Sequence, residues 1–67
     1  MDMYLLRYIQ KKKGVSVKEL CETIGVKDPS CWYKRLSGDV EWTLGDIRKL
    51  KNFLELTDQQ LKEIFDL

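Results

Sequence analysis

Three side chains between residues 30 and 34 combine hydrogen-bonding groups with positive charge. Ser30 and Tyr33 carry hydroxyls that both donate and accept, and Lys34 carries an ammonium group with three donors. Such groups suit the edges of base pairs, because a lysine can donate to guanine O6 and N7 and a hydroxyl can pair with either kind of edge. Other polar side chains nearby are suited to phosphate contacts that do not read sequence, namely Lys18, Lys27, Arg35 and Ser37.

A purely structural interpretation exists for several of these residues. Tyr33 can be a half-buried packing residue, and Lys18 can simply be solvated on an exposed helix face. Arg35 can form an ion pair with Glu22 or Asp39 instead of meeting phosphate.

The sequence disfavours catalysis and metal binding. It has no histidine, no glycine-rich phosphate loop and no clustered carboxylates, so we expect no enzyme activity, no cofactor and no small-molecule substrate. Cys21 and Cys31 form no C-x-x-C pair and fall at packed helix positions, so we expect no metal site and interpret both as reduced core residues.

The charge is divided unevenly along a short chain. A length of 67 residues allows one domain, residues 1–67. Residues 1–38 carry eight Lys or Arg against four Asp or Glu, a net +4, and residues 39–67 carry four against seven, a net −3. This asymmetry would orient the protein toward a polyanion, although a merely solvated surface is the simpler alternative. No apolar run approaches a membrane span and no signal-peptide pattern is present, so we expect no membrane partner and a cytoplasmic location.

The segment 16–37 predicts two helices joined by a tight turn. Ser16 with Glu19 predicts a capping box at the start of the first helix, and Gly25 is suited to end it in a left-handed conformation. Asp28 followed by Pro29 is typical of an N-cap and a first helical residue. The second helix would bury Trp32 and Leu36, turn Ser30, Tyr33, Lys34 and Ser37 outward, and end at Gly38.

Three further helices complete an all-α prediction. Capping boxes are predicted at Thr43 with Asp46 and at Thr57 with Gln60, and a first helix would end in a lysine-rich turn before Gly14. The expected apolar stripes of these helices are Leu5, Leu6 and Ile9; Leu44, Ile47, Leu50 and Leu54; and Leu61, Ile64 and Phe65.

The run GVSVKELCETIGV, residues 14–26, resembles the pattern of the Cro and lambda-repressor-like helix-turn-helix family. The run from Trp32 to Phe65 is similar to small repressors of phages from Gram-positive bacteria. This resemblance implies a compact five-helix domain in which the two helices of residues 16–37 form a helix-turn-helix. It also implies a sequence-specific transcriptional regulator, a repressor that binds palindromic double-stranded operator DNA as a homodimer through the helix starting near Pro29.

A dimer is also expected on physical grounds, because one domain of this size buries little surface on DNA. We expect its interface at the end of the chain, at Ile64, Phe65 and Leu67, unless the first two only close the core of the monomer. A rival function is a protein-interaction module, an antirepressor or inhibitor on the same scaffold. It is suggested by the acidic second half and by Val17, which stands where the family commonly has glutamine.

Overall fold

The computed structural model describes all 67 residues and contains five α-helices and no strand, as the sequence predicts. The helices are α1 (Met3–Lys12), α2 (Val17–Ile24), α3 (Pro29–Ser37), α4 (Leu44–Leu54) and α5 (Asp58–Phe65). The chain measures 29 × 25 × 20 Å along its principal axes. α2 packs against both α3 and α4, and α1 packs against α5. None of these helices has the length and apolar character that crossing a membrane requires.

Local capping fixes where four of the helices begin. The capping boxes predicted at Ser16, Thr43 and Thr57 are all present, each with both reciprocal hydrogen bonds. The Asp28 carboxylate accepts from the backbone N–H of Ser30 at 2.9 Å, and Pro29 is the first residue of α3. Each cap satisfies N–H groups that the helix cannot pair internally, so the residues flanking each turn determine its position.

The start of α1 has a cap that the sequence interpretation missed. The Asp2 side chain accepts from the backbone N–H of Leu5 at 3.0 Å. The signal was present, because an aspartate just before an amphipathic helix is a typical N-cap.

Twelve buried apolar residues form one core. Trp32 of α3 is fully buried in this core. The ring of Trp42 contacts the rings of Trp32 and Phe65 edge to face, with centroids 5.4 and 5.3 Å apart. The apolar stripe predicted for α4 is wrong at one position. Leu44 is 66% exposed, because it is the first residue of α4 and lies on the rim of a surface groove instead of under another helix.

Candidate nucleic-acid interface

The outer side of α3 carries the residues expected to contact bases. Ser30, Tyr33 and Lys34 are all exposed, and Tyr33 keeps 53% of its surface accessible. The spacing of three and four residues places them on one face of the helix, and Ser37 follows three residues after Lys34. Trp32 is fully buried on the opposite side and fixes how α3 is rotated against the core. The structure therefore brings the three side chains together on one surface.

The first turn of α3 is already occupied by a carboxylate. The backbone hydrogen bond from Ser30 lowers the pKa of Asp28 below its ordinary value, which shows that the cap favours the ionised carboxylate. A negative charge at this end competes with phosphate for the helix N-terminus. Lys27, the preceding residue, is exposed and forms no ion pair.

The first turn of α2 leaves two backbone N–H groups free, although the Glu19 carboxylate also lies there and accepts from the Ser16 backbone N–H. The backbone N–H groups of Val17 and Lys18 make no hydrogen bond within the chain, whereas the next N–H, that of Glu19, is capped by Ser16. The Lys18 side chain is exposed and unpaired. Two free amides beside a free ammonium group are the donors that a phosphate oxygen takes at a helix N-terminus.

Arg35 is engaged inside the molecule. Its Nε donates to the Asp46 carboxylate at 3.2 Å and its Nη1 donates to the Cys31 carbonyl at 3.1 Å, with both charged side chains largely buried. Its ion-pair partner is thus Asp46 of α4, and neither Glu22 nor Asp39 pairs with it. The phosphate contact of Arg35 stays a prediction, and the ion pair with Asp46 disfavours it.

Ser37 is exposed, but its hydroxyl proton is committed. The Oγ atom donates to the Lys34 carbonyl at 3.0 Å, which leaves the oxygen free only as an acceptor. A phosphate needs a donor, so contact with Ser37 would require the hydroxyl to rotate away from that carbonyl.

The residues expected at a dimer interface are divided between core and surface. Ile64 is fully buried and Phe65 is nearly so, and both belong to the core of the monomer. Leu67 is 60% exposed and lines a shallow groove that is mostly apolar. The groove is formed by Met1, Glu41, Trp42, Leu44, Ile47, Phe65 and Leu67. Any contact between two copies at this end would therefore use the groove and not the buried face of α5.

The two cysteines are free thiols in different environments. Cys21 is buried, as predicted, and its Sγ atom lies 4.0 Å from the Asp28 carbonyl oxygen. Burial raises the pKa of the Cys21 thiol, and the neighbouring Cys31 adds to the effect. Cys31 is only half-buried, so the prediction that it is a core residue is only partly correct. A protonated buried thiol is a weak nucleophile, which fits a packing role for Cys21.

A second polar surface on α1 escaped the sequence interpretation. Tyr4 and Tyr8 are 84% and 60% exposed, and together with Arg7 and Lys11 they line a shallow depression. The four residues follow the spacing of three and four that defines one helix face, so the signal was present in the sequence.

No protein-family model, curated protein or solved structure matches this chain.

Proposed function

We propose that this chain is a sequence-specific regulator of transcription that binds double-stranded operator DNA as a homodimer. In this proposal α2 and α3 act as a helix-turn-helix of the Cro and lambda-repressor kind. α3 lies in the major groove, and Ser30, Tyr33 and Lys34 contact base edges.

The observation that carries the proposal is the two-sided character of α3. One side is fixed in the core by Trp32, and the other presents hydroxyls and an ammonium group to solvent. An α-helix with side chains is about 10–12 Å across, which suits a major groove about 12 Å wide. A rigid helix with exposed donors on one face can therefore approach base edges without rearrangement of the fold.

Phosphate contacts would set the register of α3 on the duplex. Lys27 precedes α3, and Lys18 lies in the first turn of α2 next to the free amides of that turn. Both side chains are exposed and free of carboxylate partners. Arg35 is less suited to a phosphate contact, because its Nε and Nη1 groups already donate to Asp46 and to the Cys31 carbonyl.

Selection of bound duplexes from a random pool tests the proposal directly. We expect a palindromic consensus with half-sites about one helical turn apart. On the selected site, Lys34→Gln should weaken binding about tenfold or more, because a good base contact contributes about 1–3 kcal/mol of discrimination. Lys49→Gln removes an exposed lysine of α4 that forms no ion pair, and it serves as the matched control that should bind nearly as well as the wild type.

The salt dependence of binding provides a second readout. If a dimer neutralises about six phosphates, the logarithm of the affinity should fall with the logarithm of salt concentration at a slope of about −5. A slope near zero, or no retention on random duplex at low salt, would contradict the proposal and favour a protein-interaction module.

A further inference from the structure

The outer side of α1 carries an aromatic and cationic surface that packing does not explain. We call it the α1 face and define it by Tyr4, Arg7, Tyr8 and Lys11. α1 already buries its other side, where Leu6 and Ile9 enter the core. Tyr4 and Tyr8 are 84% and 60% exposed, so a large part of each ring remains open to a partner.

The charge of the α1 face is entirely positive. α1 contains no aspartate or glutamate, and Arg7, Lys11 and Lys12 form no ion pair. Lys12 holds its Nζ atom 5.9 Å from the centre of the Tyr8 ring, which keeps a third cation beside the aromatic surface. A partner of this surface has to offer negative charge and flat apolar groups together.

The composition of the α1 face argues against several occupants. A second copy of the same face would oppose two sets of unpaired cations, which repel each other. A lipid bilayer requires a large apolar helix face, but the apolar side of α1 is buried in the core. Duplex DNA offers phosphates and the edges of its bases, but the flat faces of its bases are covered by stacking and are not available to the tyrosine rings.

Unpaired nucleotides offer both features that the α1 face needs. Successive bases stack on aromatic side chains while cations follow the backbone. Tyr4 and Tyr8 are four residues apart, about 6 Å along the helix axis. Arg7 and Lys11 alternate with them on the same stripe, so a phosphate between two stacked bases would lie next to a cation.

We propose that the α1 face is a binding site for single-stranded nucleic acid. Tyr4 and Tyr8 stack on neighbouring bases, and Arg7 and Lys11 contact the phosphates between them. The site lies beside the last turn of α3, because Leu36 lines a shallow pocket together with Met3, Tyr4 and Arg7. It does not depend on the proposed duplex-binding function.

Fluorescence anisotropy with a labelled oligothymidylate of about a dozen nucleotides tests the site. The double variant Tyr4→Ala/Tyr8→Ala should bind this probe about tenfold more weakly or worse, because stacking contributes about 1–3 kcal/mol per base. Tyr4→Phe/Tyr8→Phe should bind like the wild type, since the rings remain. Phe53→Ala is the matched control, because it removes an exposed aromatic ring of α4 that belongs to neither proposed nucleic-acid surface, and it should leave oligothymidylate binding unchanged. Far-UV circular dichroism checks that each variant is folded.

Inorganic polyphosphate separates stacking from charge. We expect it to bind more weakly than oligothymidylate and to be insensitive to Tyr4→Ala/Tyr8→Ala, while Arg7→Gln/Lys11→Gln weakens both probes. Equal binding of polyphosphate and oligothymidylate by the wild type would overturn the proposal. So would a tyrosine double variant that loses only duplex binding. Failure of duplex selection with oligothymidylate binding intact would instead count against the proposed function alone.

Discussion

At the scale of single residues, Asp46 connects two elements at once. Its Oδ2 atom accepts from Arg35 Nε at 3.2 Å and from the Thr43 backbone N–H at 3.4 Å. It is the one charged residue in the buried class, with 7% of its surface exposed, so these hydrogen bonds compensate most of its charge. The contact caps α4 and holds the C-terminal half of α3 against it, which steadies the surface that presents Tyr33 and Lys34.

Asp46→Ala should therefore destabilise the protein strongly. It leaves the Arg35 guanidinium buried without a carboxylate, a loss for which about 3–5 kcal/mol is typical. Urea unfolding followed by circular dichroism measures the change. Asp39→Ala is the control, because Asp39 is exposed and forms no ion pair, and its effect should be close to zero. A loss below about 1 kcal/mol for Asp46→Ala would show that the pair behaves like an exposed one.

The lowered pKa values of two exposed carboxylates predict how the free energy of unfolding changes at acid pH. A hydrogen bond from Lys51 lowers the pKa of Asp58 below its ordinary 3.8, and the backbone hydrogen bond from Ser30 does the same for Asp28. Because the folded-state pKa is the lower one, their contribution is present above pH 3.8 and is lost as the pH falls through the folded-state value. Urea midpoints should therefore decrease less on acidification in Asp58→Asn than in the wild type. If Asp39→Asn flattened the profile equally, the hydrogen bonds would not be the cause.

At the scale of elements, the sequence predicts helix starts better than it predicts tertiary partners. The capping boxes at Ser16, Thr43 and Thr57 were predictable because each involves residues only three apart. The pairing of Arg35 with Asp46 was not, because it depends on how α4 lies against α3.

The residues of the candidate site also divide into positions that the sequence predicts and positions that depend on tertiary packing. The outward positions of α3 follow from helical periodicity once Trp32 is assigned to the core. The burial of Ile64 and Phe65 does not follow from periodicity, because the same apolar stripe can face a core or a second copy of the chain.

The same substitution at two glycines should have opposite effects. Gly25 ends α2 with φ +81°, where an alanine side chain costs about 1–2 kcal/mol, so Gly25→Ala should lower the unfolding free energy. Gly45 lies within α4, and an added Cβ would sit 3.7 Å from Thr43 Oγ1, an ordinary contact. Gly45→Ala should therefore raise the unfolding free energy by up to about 1 kcal/mol. Thermal melts of both variants measure the difference, and a shift in the same direction would contradict this assignment of the α2 terminus.

At the scale of the whole molecule, substitutions in the groove lined by Leu44 and Leu67 test whether the proposed dimer forms there. Leu44→Lys/Leu67→Lys should leave the core intact, because both side chains are exposed. We expect unchanged affinity for a single half-site and at least about tenfold weaker binding to the palindrome, because linkage between copies is lost. Phe53→Lys is the control, since Phe53 is exposed on α4 and does not line the groove. If Phe53→Lys weakened binding to the palindrome as much as Leu44→Lys/Leu67→Lys does, the groove would not be the dimer contact.

The edge-to-face contact between Trp32 and Trp42 gives the protein an internal optical probe. Both indoles are held in a fixed, asymmetric arrangement, and Trp32 is excluded from water. Native protein should therefore show a strong near-ultraviolet dichroic band and a blue-shifted emission maximum. The dichroic band should disappear when specific packing is lost even if helices persist. Since one chromophore lies in α3 and the other precedes α4, these signals report the docking of α3 without any attached label.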